Sequence, residues 1–172
     1  MKRHVALTLL IVTALGVLNA HVDLPRIDGR RFVTTQGQIY DPQGWMEDQI
    51  NTITRQCESV QQVNPHHPDA QTVVSRISAF SPPDSHTARA LNVLRTGPWW
   101  LVETSFDTLS PAVVILYGEG AFMEIIEGAI WSGSTTPWRS APQIRRYLLA
   151  AATALPRELV ACFDPRSELY RP

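Results

Sequence analysis

Several residues in the N-terminal half are of types that bind metal ions. They are His66, His67, Asp69 and His86. Their spacing matches no zinc signature, and they fall where we expect loops and helix starts, which are ordinary places for polar residues. We therefore expect no metal site among them.

Four carboxylates and two glycine-containing segments are candidates for catalysis. The carboxylates are Glu103, Asp107, Glu124 and Glu127. Glu124 and Glu127 lie three residues apart on a predicted strand, so their side chains point to opposite faces and cannot act as a pair. Segment 132–134 lacks the Gly-x-Ser-x-Gly frame of an activated serine, and segment 118–120 joins two strands instead of opening a nucleotide-binding helix. We expect solvated carboxylates at a sheet edge, and the pattern favours a protein that is not an enzyme and holds no cofactor.

The two cysteines, Cys57 and Cys162, are the only ones in the chain. In an exported protein a single pair most simply forms a disulfide bond. Such a bond would close a loop of about one hundred residues and stabilise the fold by about 4 to 5 kcal/mol on the chain-entropy model. Two free thiols or intermolecular bonds are the alternative.

Residues 1–20 have the layout of a secretory signal peptide, with basic Lys2 and Arg3, an apolar run and small residues towards the end. Cleavage after Ala20 is the expected event, with cleavage after Gly16 or an uncleaved anchor as alternatives. The mature protein is then periplasmic or secreted and has no membrane span. Cleavage after Ala20 would also leave His21 at the new N-terminus, where its amine and ring could chelate copper.

The charge balance excludes one class of partner. The chain has 15 Lys and Arg against 16 Asp and Glu, and it contains no basic run. Nucleic-acid binding needs clustered positive charge, so we expect a protein or peptide partner in the cell envelope and no nucleic acid. Residues 21–172 are enough for a single globular domain with a core of its own.

Residues 41–96 predict a helical region. Asp41 and Pro42 suit a helix start, and the apolar residues that follow recur at steps of four and three. These residues are Met46, Ile50, Ile53, Cys57 and Val60. We expect them to form the buried side of one helix, followed by a second helix over 69–79 and a third from Ser85 to a stop at Gly97.

Residues 98–163 predict a sheet with a closing helix, so the fold class is α/β or α+β. Strands are expected near 99–104, 112–117 and 121–130. The middle one has no polar side chain, which is typical of a strand buried on both faces, whereas the last is more polar and belongs nearer the sheet edge. Ser140 suits the start of the helix, with Ile144 on its apolar side and Arg145 on its polar side.

This order of features resembles the C-terminal half of the thioredoxin fold. In that comparison Pro111 matches the family's cis-proline, Gly128 the glycine after the last strand, and 143–154 the closing helix. The resemblance implies a small thioredoxin-like sheet and a groove for an extended peptide bordered by Ser110, Pro111 and Gly128. The Cys-x-x-Cys pair that carries out thioredoxin chemistry is absent, and a trans state of Pro111 remains open.

The loop from Trp131 to Trp138 has two tryptophans around small hydroxylated residues. It could present flat apolar faces to a peptide, a glycan or a partner surface, or both indoles could pack over the sheet edge.

Together these patterns predict a non-catalytic exported thioredoxin-like protein. It would bind a protein or an extended peptide along Ser110, Pro111 and Gly128, with Trp131 and Trp138 nearby. The resemblance implies an accessory component of an envelope conjugation or secretion assembly. One alternative is a periplasmic immunity or inhibitor protein that masks a partner enzyme, and another is a metal protein that uses His21.

Overall fold

The computed structural model describes residues 22–171, so the predicted signal peptide and His21 lie outside the described part of the chain. In chain order the strands and helices are β1 (Val22–Asp23), β2 (Arg26–Ile27), β3 (Arg30–Arg31), β4 (Val33–Thr35), β5 (Gln38–Tyr40), α1 (Pro42–Thr54), β6 (Gln61–Gln62), α2 (Pro68–Phe80), β7 (Arg89–Thr96), β8 (Trp99–Ser105), β9 (Ala112–Tyr117), β10 (Glu124–Ser132), α3 (Ser140–Ala151) and α4 (Arg157–Ala161). None of the helices in residues 22–171 is long and apolar enough to cross a membrane.

The five strands β6 to β10 form one sheet in the order β10-β9-β8-β7-β6, and every pairing in it is antiparallel. The register places Trp100 opposite Leu116 and Val102 opposite Val114. The predicted strands near 99–104, 112–117 and 121–130 are present, and β10 is the edge strand, as its polar residues indicated. The mixed α+β class is confirmed.

The middle strand β9 is buried on both faces, as its unbroken apolar sequence predicted. Val113 and Ile115 pack in a cluster with Ile144 of α3. Val114 and Leu116, on the other face, belong to a second cluster that α2 covers. The sheet therefore lies between α2 on one side and α3 with α4 on the other.

The disulfide bond between Cys57 and Cys162 is present, with its Cα atoms 5.8 Å apart and its two cysteines separated by 105 positions in the sequence. It ties the segment after α1 to the end of α4. The predicted pairing is confirmed.

The predicted third helix is wrong, because residues 89–96 form the strand β7. A short 3-10 turn at Asp84–Thr87 comes first, and β7 then pairs with β8 along its whole length. Two adjacent residues of β7, Val93 and Leu94, are both buried, Leu94 in the cluster with Ile144 and Val93 in the cluster that α2 covers. A helix turns only about 100° between neighbouring residues, whereas a strand directs them to opposite faces. Burial of Val93 and Leu94 in two opposite layers therefore overrides the local helical spacing.

The predicted buried side of α1 is also wrong. The helix ends at Thr54, before Cys57 and Val60, and Met46, Ile50 and Ile53 are exposed. The opposite, polar side faces the protein: Asn51 donates a hydrogen bond to the carbonyl of Ala161, and Asp48 forms an ion pair with Arg145 of α3. These polar contacts fix the helix with its apolar side outward.

The prediction that Arg145 lies on the polar side of α3 is wrong with respect to solvent exposure. Arg145 is buried, and its Nε donates a hydrogen bond to the carbonyl of Phe163 at 2.9 Å. The helix ends at Ala151, short of the predicted Ala154, although Leu155 beyond it is still buried.

The N-terminal strands form two small antiparallel sheets, β1-β4-β5 and β2-β3. Phe32 between them is fully buried, and its ring meets that of Trp138 edge to face at 5.8 Å. The buried carboxylate of Asp41 accepts from the backbone N–H groups of Gly44 and Arg139. These contacts attach the N-terminal strands and α1 to the loop before α3.

Candidate binding site

An apolar pocket of about 290 Å³ opens beside Ser110, between α2 and the ends of β9 and β10. Ile77 and Phe80 of α2 form one wall, and Ile125 and Ile130 of β10 form the other. The volume is at the lower end of the range for small-molecule pockets, and it suits one or two large apolar side chains. This pocket contains one of the binding residues predicted from the sequence.

The rim of this pocket carries hydroxyl groups and no charge. Ser110 and Ser132 are exposed at the opening, next to the exposed Leu109. Ser85 is buried and is satisfied within the protein, because its hydroxyl donates to the carbonyl of Ser78 and accepts from the N–H of Ser81. The pocket therefore suits an apolar group and offers nothing to neutralise an ion.

The wall formed by β10 is also the free edge of the sheet. Among residues 22–171 β10 pairs with β9 alone, so its outer N–H and C=O groups have no strand beside them. The register places Ser132 opposite Ala112, where β9 begins just after Pro111. An extended peptide laid along this edge would carry alternate side chains over the pocket.

Pro111 and Gly128 do not meet at one groove. The peptide bond before Pro111 is not among the cis bonds of the described residues, which are those before Pro83 and Pro137. Gly128 lies inside β10, not after it, in the stretch where the pairing register shifts. It is four residues from Ser132, roughly 13 Å along a strand. Its carbonyl accepts a hydrogen bond from the hydroxyl of Tyr147, because this part of β10 packs against α3.

The two tryptophans of the 131–138 loop lie in different places. Trp131 is part-buried against the α3 layer, with its ring 5.1 Å from that of Tyr147. Trp138 packs edge to face against Phe32 and lines a different cleft, next to α1. The structure therefore divides the five predicted binding residues among three sites: Ser110 and Pro111 near the apolar pocket, Gly128 and Trp131 beside α3, and Trp138 beside α1.

The cleft beside α1 has a volume of about 720 Å³ and was not predicted from the sequence as a site. Tyr40, Trp45 and Trp138 provide aromatic walls, and Arg139 and Arg171 lie at its border. The signal that could have indicated it is the pair of aromatic residues Tyr40 and Trp45 around the predicted helix start. The cleft lies where it does because Asp41 and Asp48 hold α1 against the loop before α3 and against α3 itself.

Ion pairs fill the inner side of this cleft. Asp48 accepts from Arg145 at 2.9 Å and from Arg139 at 3.3 Å, and Asp164 lies 3.7 Å from Arg145. Arg30, which is buried, donates to Glu47 at 2.9 Å. These ion pairs are formed within the chain, whereas Arg171 at the border of the cleft has no ion pair among the described residues. The cleft therefore combines aromatic surface with the positive charge of Arg171.

The prediction that Glu103 is a solvated carboxylate at a sheet edge is wrong. Glu103 is fully buried on β8, and its Oε1 accepts from the backbone N–H of Arg166 and from the hydroxyl of Tyr170. Burial raises the pKa of the Glu103 carboxyl above its ordinary value, and these hydrogen bonds lower it by less. Burial and the neighbouring carboxyl likewise raise the pKa of Tyr170. The group holds the C-terminal segment in place.

The other candidate carboxylates lie apart from Glu103. Glu124 and Glu127 are exposed on β10, and Asp107 pairs with Arg89 at the surface. No group of three or more His, Cys, Asp and Glu in residues 22–171 is arranged to hold a metal ion.

No protein-family model, no curated protein and no solved structure matches the chain. The resemblance to the thioredoxin fold thus stays a prediction.

Proposed function

We propose that this chain is a non-catalytic exported protein that binds an extended segment of a protein partner. The segment adds a strand to the free edge of β10 and inserts a large apolar side chain into the pocket beside Ser110. One observation carries this proposal: the open edge strand and the apolar pocket share the residues Ile125, Ile130 and Ser132.

The choice of an extended peptide follows from the two parts of the site. Unpaired N–H and C=O groups at a sheet edge give affinity to any extended backbone, and a pocket for alternate side chains gives specificity. Because the rim has hydroxyls and no charge, an aromatic or long aliphatic side chain is the chemistry that fits.

The setting that we propose is the periplasm or the extracellular space. The signal-peptide layout of residues 1–20 supports it, and so does the disulfide bond, since such bonds persist in oxidising compartments. Membership of a conjugation or secretion assembly stays a prediction from the resemblance alone.

The test uses the mature, disulfide-bonded protein and a displayed library of random peptides. We expect enriched peptides to share one large apolar side chain and to shift the amide NMR signals of β10 and of Ser110. N-methylation of alternate backbone amides of an enriched peptide should remove binding, because it removes the donors that pair with the strand edge.

The variant Ser110→Trp should fill the opening of the pocket and block peptide binding. Ser110 is exposed at the rim, so the variant should keep the thermal stability of the wild type while losing peptide binding. Thr108→Trp, an exposed position of the same loop that does not line the pocket, is the control. Peptides that bind Ser110→Trp as well as the wild type, or a library that yields none, would overturn the proposal.

A further inference from the structure

The outward side of α1 and the strand before it form an apolar surface. We call it the α1 surface and define it by Ile39, Tyr40, Trp45, Met46, Ile50 and Ile53. The exposed fraction of these residues ranges from 45% for Ile39 to 82% for Ile53. At helical spacing the same side of α1 also carries Pro42 and Gln49, so the whole side is uncharged. It shares no residue with the pocket beside Ser110.

We propose that a second copy of this chain covers the α1 surface and forms a two-fold symmetric dimer with the two α1 helices antiparallel. A two-fold interface uses the same patch on both copies, so each contact occurs twice. Met46 and Ile53 lie symmetrically about the middle of the stripe, near Ile50. Antiparallel helices therefore place Met46 of one copy against Ile53 of the other, and Ile50 near its own counterpart.

The shape of the surface fits this arrangement. Ile53 projects at the C-terminal end of α1, and the aromatic cleft with Tyr40 and Trp45 opens at the N-terminal end. Ile53 and Trp45 are eight residues apart, or about 12 Å along the helix axis. An antiparallel partner of the same length brings its projecting Ile53 to the cleft wall, so each copy contributes a residue to the cleft of the other.

The size of the surface is of the right order. Six large apolar side chains exposed to this extent present on the order of 600 Å², close to the roughly 800 Å² per partner of a standard interface. Scattered single apolar residues need no partner, but a contiguous patch of this size marks an interaction site.

The charges around the surface do not oppose the pairing of two identical copies. Glu47 and Asp48 of α1 are held by arginines of the same chain, Glu47 by Arg30 and Asp48 by Arg145. Each copy therefore presents apolar side chains to the other without a row of unmatched carboxylates. The lack of unmatched charge distinguishes a self-complementary surface from one that needs an oppositely charged partner.

Sedimentation equilibrium of the mature, disulfide-bonded protein tests the proposal. We expect a dimer at micromolar concentration, and at least a tenfold weaker association for Ile53→Lys. Phe122→Lys is the matched control, because Phe122 is 87% exposed on the β9–β10 connection and lies outside the α1 surface. A monomeric wild type, or a dimer that Ile53→Lys leaves unchanged, would overturn the inference.

A charge-swap pair separates self-association from any other use of the surface. Ile50→Lys and Ile50→Glu should each be monomeric, because two like charges meet at the symmetry axis. Mixed in equal amounts, the two variants should form a heterodimer, since opposite charges then meet. Failure of the mixture to associate contradicts the antiparallel arrangement, and recovery of the dimer also shows that both variants are folded.

Discussion

The hydroxyl of Tyr170 donates a hydrogen bond to Oε1 of Glu103 at 3.1 Å, and both side chains are fully buried. The two residues are 67 positions apart, so this contact fixes the end of the chain to the central strand β8. The backbone N–H of Arg166 adds a second bond to the same oxygen at 2.8 Å. Oε2 has no partner among the described residues, and neither does Oδ1 of Asn92, which is the cross-strand neighbour of Glu103. A neutral carboxyl can donate where an ionised one cannot, so this environment favours the protonated acid.

The stability of the fold should therefore depend on the ionisation of Glu103. Burial raises the pKa of Glu103, so the unfolded chain releases this proton at lower pH than the folded chain does. The stabilisation is fully present below the ordinary value of about 4.5 and is lost as the pH rises through the raised pKa. We expect Glu103→Gln to gain stability relative to the wild type as the pH rises above that value, measured by denaturant unfolding at a series of pH values.

The control for this pH dependence is Glu127→Gln, a change at an exposed carboxylate of β10. The pH dependence of stability that Glu103 causes should persist in this variant, because Glu103 is unchanged. Parallel curves for Glu103→Gln and the wild type would show that Glu103 titrates alike in both states. Tyr170→Phe removes the buried donor and should cost about 1 to 3 kcal/mol.

The disulfide bond predicts a second stability difference. Because it closes a loop of about one hundred residues, the double variant Cys57→Ser with Cys162→Ser should lose about 4 to 5 kcal/mol of unfolding free energy. Reductant should lower the stability of the wild type and leave the double variant unchanged. Intact mass after alkylation without reductant should show no added groups, and two added groups would contradict the bond.

The sheet could be predicted from the sequence because its central strands have unambiguous local patterns. The segment 112–117 is apolar throughout its first five residues, and the structure buries these five under helices on both faces. The cysteine pair was predictable for a similar reason, since two cysteines allow only one intramolecular bond. In both cases the sequence pattern allows only one arrangement, so the prediction from the sequence and the structure agree.

The helical predictions failed where periodicity was ambiguous. Ala88, Leu91 and Leu94 fit a helix, but Val93 is buried in the cluster on the opposite face of the sheet from Leu94, as alternating strand residues are. In α1 the spacing of Met46, Ile50 and Ile53 correctly predicted an apolar side, but not which side faces the protein. Long-range ion pairs of Asp48 hold that orientation, and their arginine partners are 91 and 97 positions away in the chain.

The candidate site was predictable only in part. Ser110 does border an apolar pocket, because it lies next to the start of a buried strand. Its grouping with Gly128 and Trp138 depended on a tertiary arrangement taken from a resemblance, and the structure separates the three. The aromatic cleft beside α1 depends on contacts between residues near position 40 and the loop before α3, which no local pattern contains.

The turn after β9 predicts a difference between two neighbouring glycines. Gly118 has a φ of +114°, and a Cβ added there would meet the backbone carbonyl of Phe122. Gly120 has a φ of +53° and open space around its Cα. Gly118→Ala should cost more than about 2 kcal/mol and Gly120→Ala about 1 kcal/mol. Equal losses in denaturant unfolding would contradict the close approach at Gly118.

Arg145 and Arg146 are adjacent on α3 but have very different surroundings. Arg145 is buried and donates to the carbonyl of Phe163 and to Asp48, each at 2.9 Å. Arg146 is exposed, and its guanidinium lies 3.8 Å from Glu47. A buried ion pair that loses one partner leaves an uncompensated charge, whereas an exposed pair contributes little.

We therefore expect Arg145→Leu to lose about 3 to 5 kcal/mol of unfolding free energy and Arg146→Leu less than about 1 kcal/mol. Because Arg145→Leu leaves Asp48 with Arg139 as its one remaining cation, adding Asp48→Asn should recover part of the loss. A double-mutant cycle over Arg145 and Asp48 measures that coupling directly. Since this pair holds the polar side of α1 against α3, the same cycle also tests why the apolar side of α1 faces outward. Zero coupling would assign the orientation of α1 to Asn51 and its bond to Ala161 instead.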